Sequence, residues 1–156
     1  MTQNKITVRY AEPEDAALMA EIEALSAEQP WNEEQLLDEF GREFAVLRAA
    51  CLDGKTVGML DMHLTGEAYI NEISVAPEAR RLGAGRALVE EAVRIARKRG
   101  QSRLILDVRS GNVATRALYE KAGFRELCIR KNMYRDPLDD GVTYELDLED
   151  PERTDY

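Results

Sequence analysis

A short basic, glycine-rich segment in the middle of the chain has the composition of a phosphate-binding turn. Glycine lets the backbone turn tightly and approach a ligand closely, and the first N–H groups of a following helix have no acceptor within that helix. The helix dipole and the arginine charges add positive potential at the same place. We therefore predict a pyrophosphate site in this segment, which consists of Arg80, Arg81, Leu82, Gly83, Ala84, Gly85 and Arg86.

Two other glycine-rich phosphate motifs do not fit this segment. A Walker-type loop ends in Gly-Lys-Ser/Thr, whereas Gly85 is followed by Arg86 and Ala87, which leaves no hydroxyl for magnesium. A dinucleotide-binding fingerprint needs a third small residue, and Leu88 follows here instead. On this segment alone, a glycine turn that merely begins a helix remains the alternative.

The pattern Arg-x-x-Gly-x-Gly, which begins at Arg80, resembles the coenzyme A signature of the GCN5-related N-acetyltransferases. In that family a strand is followed by an asparagine, a helix that carries a tyrosine, and a Gly-Phe turn. The matching positions here are residues 104–109, Asn112, Tyr119 and Gly123-Phe124. The resemblance implies an α/β (α+β) fold with a mixed, mostly antiparallel sheet of about seven strands, a central splayed parallel pair and about four helices.

The same resemblance implies acetyl-CoA as the cofactor, bound in the cleft between the splayed strands. Backbone groups of Ile73 and Val75 would pair with its pantetheine arm, and the N–H groups from Arg81 to Arg86 would hold the pyrophosphate. Asn112 would contact the cofactor from the far side of the cleft. Because Asn112 follows Ser110-Gly111, it also suits the N-cap of the next helix, and that structural role is the alternative.

The implied chemistry is the attack of an amine on a thioester, which needs a neutral amine, a stabilised oxyanion and a proton for the departing thiolate. Tyr119 is the candidate general acid, because a phenol with an ordinary pKa of about 10 stays protonated at neutral pH. A tyrosine that only packs in the core is the alternative. Asp107 falls where the acetyltransferases acting on ribosomal-protein alanine carry a glutamate, so its shorter carboxylate would reach the amine through water. Glu72, on the strand that borders the cleft, is the competing candidate for the general base.

Two further segments resemble the ribosomal-protein-alanine N-acetyltransferases. One contains Pro30 and Trp31, and the other is residues 129–134, which end in Tyr134. By this resemblance Trp31 and Tyr134 flank the acceptor groove, although Trp31 also suits a hydrophobic staple with Leu36 at the start of a helix. An acidic pair of that family is replaced here by Gly141-Val142.

Three functions follow from these segments. The first is acetylation of a protein N-terminus, such as that of a ribosomal small-subunit protein. The second is acetylation of a small amine, a polyamine or an antibiotic. The third is a non-catalytic acyl-CoA-binding module, in which the shortened Asp107 reflects lost chemistry. An N-terminal α-amine has a pKa of about 8, against about 10.4 for lysine, so it demands less of a weak base.

Composition limits the other possibilities. The length of 156 residues predicts one domain over residues 1–149 and a polar tail over residues 150–156. The net charge of −9 argues against direct nucleic-acid binding. No membrane span or signal peptide is apparent, which predicts a cytoplasmic protein. Its oligomeric state, monomer or homodimer, is left open by the sequence. Cys51 and Cys128 are expected to be reduced thiols in the core, and His63, the only histidine, makes a zinc site improbable.

The elements that must position these residues can be predicted from periodicity. A strand over residues 5–10 precedes a helix over residues 13–25, whose apolar face would be Leu18, Ile22 and Leu25. Asp53-Gly54 predicts a hairpin turn between two strands, and residues 69–75 would add a third. A helix over residues 84–98 and a strand over residues 103–108 complete a βαβ unit, which implies a parallel pairing.

Overall fold

The computed structural model describes residues 5–27 and 29–149 of the chain, so the predicted polar tail over residues 150–156 lies outside the described residues. Seven strands form one sheet in the order β1-β2-β3-β4-β5-β7-β6, and four α-helices flank it in the described part of the chain. Along the chain the elements are β1 (Ile6–Tyr10), α1 (Ala16–Ser26), α2 (Glu33–Phe40), β2 (Ala45–Leu52), β3 (Lys55–Leu64), β4 (Ala68–Val75), α3 (Ala84–Lys98), β5 (Arg103–Arg109), α4 (Val113–Lys121), β6 (Arg125–Tyr134) and β7 (Asp139–Asp147).

The sheet is antiparallel except at its centre. There β4 and β5 run parallel, and the described pairs join Ala68–Ile70 to Leu104–Leu106 only. Both strands continue for several residues beyond these pairs, so they splay apart towards their carboxyl ends. This mixed sheet with one splayed parallel pair and four helices confirms the predicted fold class.

Strand β4 is irregular at the point where the splay begins. On its other side it pairs with β3, where Glu72 stands opposite Asp61 and Ile70 stands opposite Met62. Asn71 is therefore an extra residue on β4, which makes a β-bulge. Bulges bend a strand and change the direction of neighbouring side chains, and they occur often beside active sites.

Helix α3 has the predicted bounds, because the apolar period and the flanking glycines indicate the same start and end of the helix. Its buried face packs against the sheet in the main hydrophobic core. Gly83 begins the helix and Gly100 follows its end, both with positive φ angles, while Arg97 and Lys98 occupy its last turn, where positive charge suits the helix dipole. The buried residues of α3 are Ala84, Leu88, Val89, Ala92, Val93, Ile95 and Ala96.

The predicted apolar face of α1 was wrong. Leu18 and Leu25 are exposed, whereas Ile22 is buried as expected. The buried stripe is shifted by one residue and includes Met19 and, unexpectedly, Glu23. Apolar spacing favours Leu18 and Leu25 over a stripe that contains a glutamate, and it therefore predicted the wrong side of the helix.

Cysteine placement was half right. Both cysteines are free, but only Cys51 is buried, whereas Cys128 is exposed. Cys128 lies on β6, an edge strand of the sheet whose residues are almost all exposed. Among the described residues, no helix has the length and apolar character needed to cross a membrane.

Candidate active site

The glycine-rich segment lies between the splayed end of β4 and the start of α3. Gly83 is the N-cap of α3 with φ of 94°, and no side chain among the described residues caps the helix. The first N–H groups of α3 are consequently left for a ligand. Arg81 also has a positive φ of 65°, a backbone conformation that costs energy for a residue other than glycine. The segment therefore holds a strained turn in front of an uncapped helix.

Side chains around this turn leave its backbone accessible. Arg80, Arg81 and Arg86 are exposed, and Arg86 forms an ion pair with Glu90 one turn further along at 2.9 Å. Leu82 is half-buried and Ala84 is buried. A Cβ atom at Gly85 would lie 3.4 Å from the side chain of Leu118 on α4, so α4 packs beside the start of α3.

Ile73 and Val75 lie on β4 beyond the last residue that pairs with β5. Their neighbours on the opposite side are Leu60 and Gly58 of β3. The edge of β4 that faces β5 is therefore open at these two residues, as a strand-like ligand would require.

Asn112 has the structural role that was predicted as its alternative. Its side-chain oxygen accepts a hydrogen bond from the backbone N–H of Thr115 at 3.2 Å and caps α4. The oxygen is thereby engaged in the helix cap. The side-chain –NH2 group is the part of Asn112 that can donate to a ligand.

Tyr119 is the buried residue of α4, with 4% of its surface exposed. Its ring packs edge-on against Phe124 with 5.3 Å between the ring centroids. Burial raises the pKa of Tyr119, and the charge of Glu72 raises it further. In the described part of the chain, the Tyr119 hydroxyl has no hydrogen-bond partner. The ring is thus a core residue, while the hydroxyl is a protonated phenol that is free to donate.

Asp107 is held by other side chains. One carboxylate oxygen accepts a hydrogen bond from the Tyr69 hydroxyl, and the other accepts one from Thr143. The Arg130 Nε atom lies 3.7 Å from the Asp107 oxygen that accepts the hydrogen bond from Thr143. Both oxygens of Asp107 therefore accept hydrogen bonds from neighbouring strands, which fix the orientation of its carboxyl group.

Glu72 has a different environment. It follows the bulge at Asn71 and lies on β4 where the strands separate. Burial raises its pKa to about 8, and the negative charge of Glu23 on α1 contributes to this shift. A carboxyl group with a pKa near the working pH is suited to general base catalysis. The two carboxyl groups that the sequence left as competitors thus lie in different environments.

Glu23 is a buried residue that the sequence analysis missed. Its side chain is fully buried, and it links three parts of the chain. One oxygen accepts a hydrogen bond from the backbone N–H of Trp31 at 3.1 Å, and the other accepts one from the Ser74 hydroxyl on β4. Its position in an apolar stripe concealed it, because buried glutamates are rare and are usually paired.

The two predicted acceptor-groove residues lie in separate parts of the chain. Trp31 is half-buried in the α1–α2 connection and packs against a core cluster that contains Leu36, with the predicted capping box beside it. Tyr134 lies at the end of β6, with the Arg109 guanidinium 4.6 Å from its ring centroid. Burial raises the pKa of Tyr134, as does the charge of Asp107. Two acidic residues, Asp139 and Asp140, immediately precede Gly141-Val142 in β7.

His63 belongs to a cluster on the α2 side of the sheet. Its Nε2 atom lies 2.6 Å from Glu39 and 3.6 Å from Asp61. The donor atoms of the three residues lie within 4.8 Å of one another, close enough to bind one cation. Burial and the neighbouring Glu39 carboxyl raise the pKa of Asp61 to about 9, so two carboxyl groups that share a proton also account for the arrangement.

Comparison with known proteins identifies relatives along most of the chain. Residues 14–124 match the profile of the Acetyltransferase (GNAT) family. The ribosomal protein bS18 alanine N-acetyltransferase of Escherichia coli strain K12 is 33% identical over 135 residues, which cover 86% of this chain and 90% of that protein. The enzyme of the same name from Haemophilus ducreyi is 30% identical over 128 residues, covering 82% of this chain and 87% of its own length.

Solved structures agree with the sequence relatives. The crystal structure of the ribosomal-protein-S18-alanine N-acetyltransferase from Escherichia coli matches with a TM-score of 0.85 and 30% identity, covering 97% of this chain and 99% of that one. The structure of yncA from Salmonella typhimurium, solved with its cofactor acetyl-CoA, has the same fold with a TM-score of 0.77 and 19% identity, covering 97% and 99% of the two chains.

Proposed function

Because the chain belongs to the GNAT family of acetyltransferases and is an acetyl-CoA-dependent N-acetyltransferase, we propose that its acceptor is the N-terminal α-amino group of a protein. A ribosomal small-subunit protein that begins with alanine is the first candidate, since the relatives over most of the chain carry that activity in their names. Such an acceptor would place the reaction in the cytoplasm.

The residues at the splay fit acetyl-CoA, which supplies an acetyl thioester to the acceptor. The uncapped start of α3 and the arginines beside it would hold the pyrophosphate. The open edge of β4 at Ile73 and Val75 would pair with the pantetheine arm. The –NH2 group of Asn112 would donate from the other side of the cleft.

Glu72 is the residue that best supports an N-terminal α-amine as the acceptor. Its pKa of about 8 is close to the value of about 8 for an α-amino group and well below the value of about 10.4 for a lysine side chain. Transfer of a proton from an α-ammonium group to the Glu72 carboxylate is therefore nearly balanced, whereas transfer from a lysine ammonium group is unfavourable. We assign Glu72 as the general base that removes the amine proton.

Tyr119 would act on the opposite side of the reacting group. Its hydroxyl is protonated at neutral pH because burial raises its pKa, and it has no competing hydrogen-bond partner in the described part of the chain. It would donate its proton to the departing thiolate. Asp107, whose oxygens accept hydrogen bonds from Tyr69 and Thr143, would instead help to fix the cleft wall.

Trp31 and Tyr134 would flank the acceptor peptide. The α1–α2 connection holds the first and the β6–β7 hairpin begins at the second. Both residues are half-buried, so each offers an aromatic surface to a ligand. These two roles are proposed from the family resemblance and the placement of the two connections.

Mass spectrometry can test this proposal directly. A peptide with an N-terminal alanine and an internal lysine is incubated with the protein and acetyl-CoA, and fragmentation locates the acetyl group. We expect acetylation of the α-amine and none when that amine is blocked beforehand. If only lysine or free polyamines are acetylated, the proposed N-terminal acceptor is wrong and a side-chain or small amine takes its place. Cofactor binding without any turnover would favour a non-catalytic binding module.

A further inference from the structure

Glu23 contacts β4 at Ser74, two residues after the proposed base Glu72, and three parts of the chain meet at its carboxyl group. It belongs to α1, it accepts the backbone N–H of Trp31 in the α1–α2 connection, and it accepts the hydroxyl of Ser74 on β4. None of its surface is exposed. A buried glutamate is retained only where partners compensate its desolvation, and here each oxygen has a donor.

The partners of the two oxygens differ in what they can do. The backbone N–H of Trp31 can only donate, so its oxygen remains an acceptor, whereas the Ser74 hydroxyl can donate to a carboxylate or accept from a protonated carboxyl group. Burial raises the pKa of Glu23, and the bonds from Ser74 and Trp31 oppose that rise. When it is ionised, Glu23 places a negative charge on α1, directed towards β4.

We propose that Glu23 is a positioning residue of the acceptor site, which ties the connection carrying Trp31 to strand β4 and keeps a negative charge beside Glu72. This inference rests on the proposed function of Glu72 and Trp31. It assigns two separable effects to one side chain. The first is geometric and concerns the acceptor groove, and the second is electrostatic and concerns the base.

Among the described residues, three titratable groups besides Glu23 interact with Glu72, and they are uncharged at pH 7. Asp61 faces it from β3, and a pKa of about 9 keeps that carboxyl group protonated. Tyr119 on α4 and Tyr134 on β6 also interact with it, and both have raised pKa values. The ionised carboxyl group of Glu23 repels that of Glu72, which favours the protonated form of Glu72.

Two substitutions at Glu23 separate the effects. Glu23→Gln keeps an oxygen for the Trp31 N–H and an –NH2 group for the Ser74 oxygen, but it removes the charge. Glu23→Ala removes both contacts. Glu67→Gln is the matched control, because it removes the same charge from an exposed residue at the surface.

Trp31 supplies a direct readout of the geometric effect because it is the only tryptophan of the chain. We expect acrylamide to quench its fluorescence about twofold more strongly in Glu23→Ala than in the parent protein. In Glu23→Gln and Glu67→Gln, quenching should equal that of the parent protein. The KM for an acceptor peptide should rise about tenfold in Glu23→Ala with little change in the KM for acetyl-CoA, as loss of one or two anchoring contacts predicts. Unchanged quenching in Glu23→Ala would overturn the geometric role.

The charge effect is read from the titration of Glu72. With 13C-labelled glutamate side chains, and Glu72→Gln to assign the resonance, the Glu72 midpoint should fall by about one pH unit in Glu23→Gln and stay unchanged in Glu67→Gln. An unchanged midpoint in Glu23→Gln would refute the electrostatic role.

Fluorescence and NMR decide the inference without turnover, so it is tested separately from the proposed acceptor. If neither peptides nor amines are acetylated, the proposed function fails while both physical readouts still report on Glu23. If Glu23→Ala does not fold, Ser74→Ala provides the second variant. It removes one of the two anchors and should increase Trp31 quenching by a smaller factor, and no increase would count against the anchoring role.

Discussion

The Tyr119 hydroxyl is a polar group on an otherwise apolar core residue. Removing it in Tyr119→Phe should lower kcat by about 10²- to 10⁴-fold, as loss of a general acid does, with little change in the KM for acetyl-CoA. The free energy of unfolding should change by less than about 0.5 kcal/mol, because no described residue loses a hydrogen-bond partner. Steady-state kinetics and urea denaturation measure both quantities. Full activity in Tyr119→Phe would mean that another group protonates the thiolate.

Glu72 and Asp107 can be distinguished by pH as well as by rate. Since the pKa of Glu72 is raised to about 8, its deprotonated fraction is small at pH 7 and increases through pH 8. We expect kcat/KM to rise with pH over the same range. Glu72→Gln should remove that contribution and lower kcat/KM by about 100-fold at pH 8, leaving only the titration of the acceptor amine.

Asp107→Asn serves as the comparison for Glu72→Gln. We expect a smaller loss, since an amide oxygen can still accept from Tyr69 or Thr143. A larger loss in Asp107→Asn than in Glu72→Gln would reverse the assignment of the base. The sequence could not decide between them because the partners of Asp107 come from β4 and β7, 38 and 36 residues away.

At the scale of the secondary-structure elements, the turn before α3 combines two backbone conformations with positive φ. Gly83→Ala should destabilise the protein by about 1–2 kcal/mol, because an alanine side chain disfavours the left-handed region, although its Cβ would meet no atom within 4 Å. Strain in this turn should also raise the KM for acetyl-CoA. Thermal unfolding and acetyl-CoA titration measure the two effects.

Gly85→Ala is the control for that prediction. Gly85 lies in the right-handed first turn of α3, and its Cβ would make an ordinary 3.4 Å contact with Leu118. Alanine there should leave stability unchanged or increase it by up to about 1 kcal/mol. Equal destabilisation by both substitutions would show that the positive φ angle is not the reason for glycine at position 83.

Elements with strong local signals were predictable, and the exceptions share one physical cause. The Asp53-Gly54 turn and helix α3 follow from turn chemistry and apolar period, which act within a few residues. The buried face of α1 and the exposure of Cys128 depend on partners distant in sequence. Glu23 is buried because Ser74 and Trp31 donate to it, and Cys128 is exposed because β6 is an edge strand. Local patterns do not contain that information.

At the scale of the whole molecule, the buried Asp61 carboxyl makes stability depend on pH. Its pKa is about 9 in the folded protein and about 3.9 when unfolded, so unfolding releases a proton between these values. The contribution of Asp61 to the free energy of unfolding is therefore largest below about pH 4 and decreases as pH rises towards 9.

Asp61→Asn should remove this dependence. The amide keeps an acceptor for Asn71 and adds a permanent donor towards Glu39, so we expect the variant to be about 2–5 kcal/mol more stable at pH 8 and nearly equal to the parent protein at pH 4. Urea denaturation at the two pH values tests the difference. A variant that is less stable at pH 8 would indicate that the ionised Asp61 carboxyl group is required there, as it would be if the cluster with Glu39 and His63 bound a cation.

The splay between β4 and β5 has a consequence for how the molecule holds together. Four strands lie on one side of it and three on the other, and the described strand pairs across it involve only three residues of each strand. Acetyl-CoA bound in this gap would act as a surrogate strand that fastens two half-sheets. The donor substrate is then also a structural component. Loading with it should slow amide hydrogen exchange on both sides of the gap together, so that the enzyme is most rigid when it is ready to react.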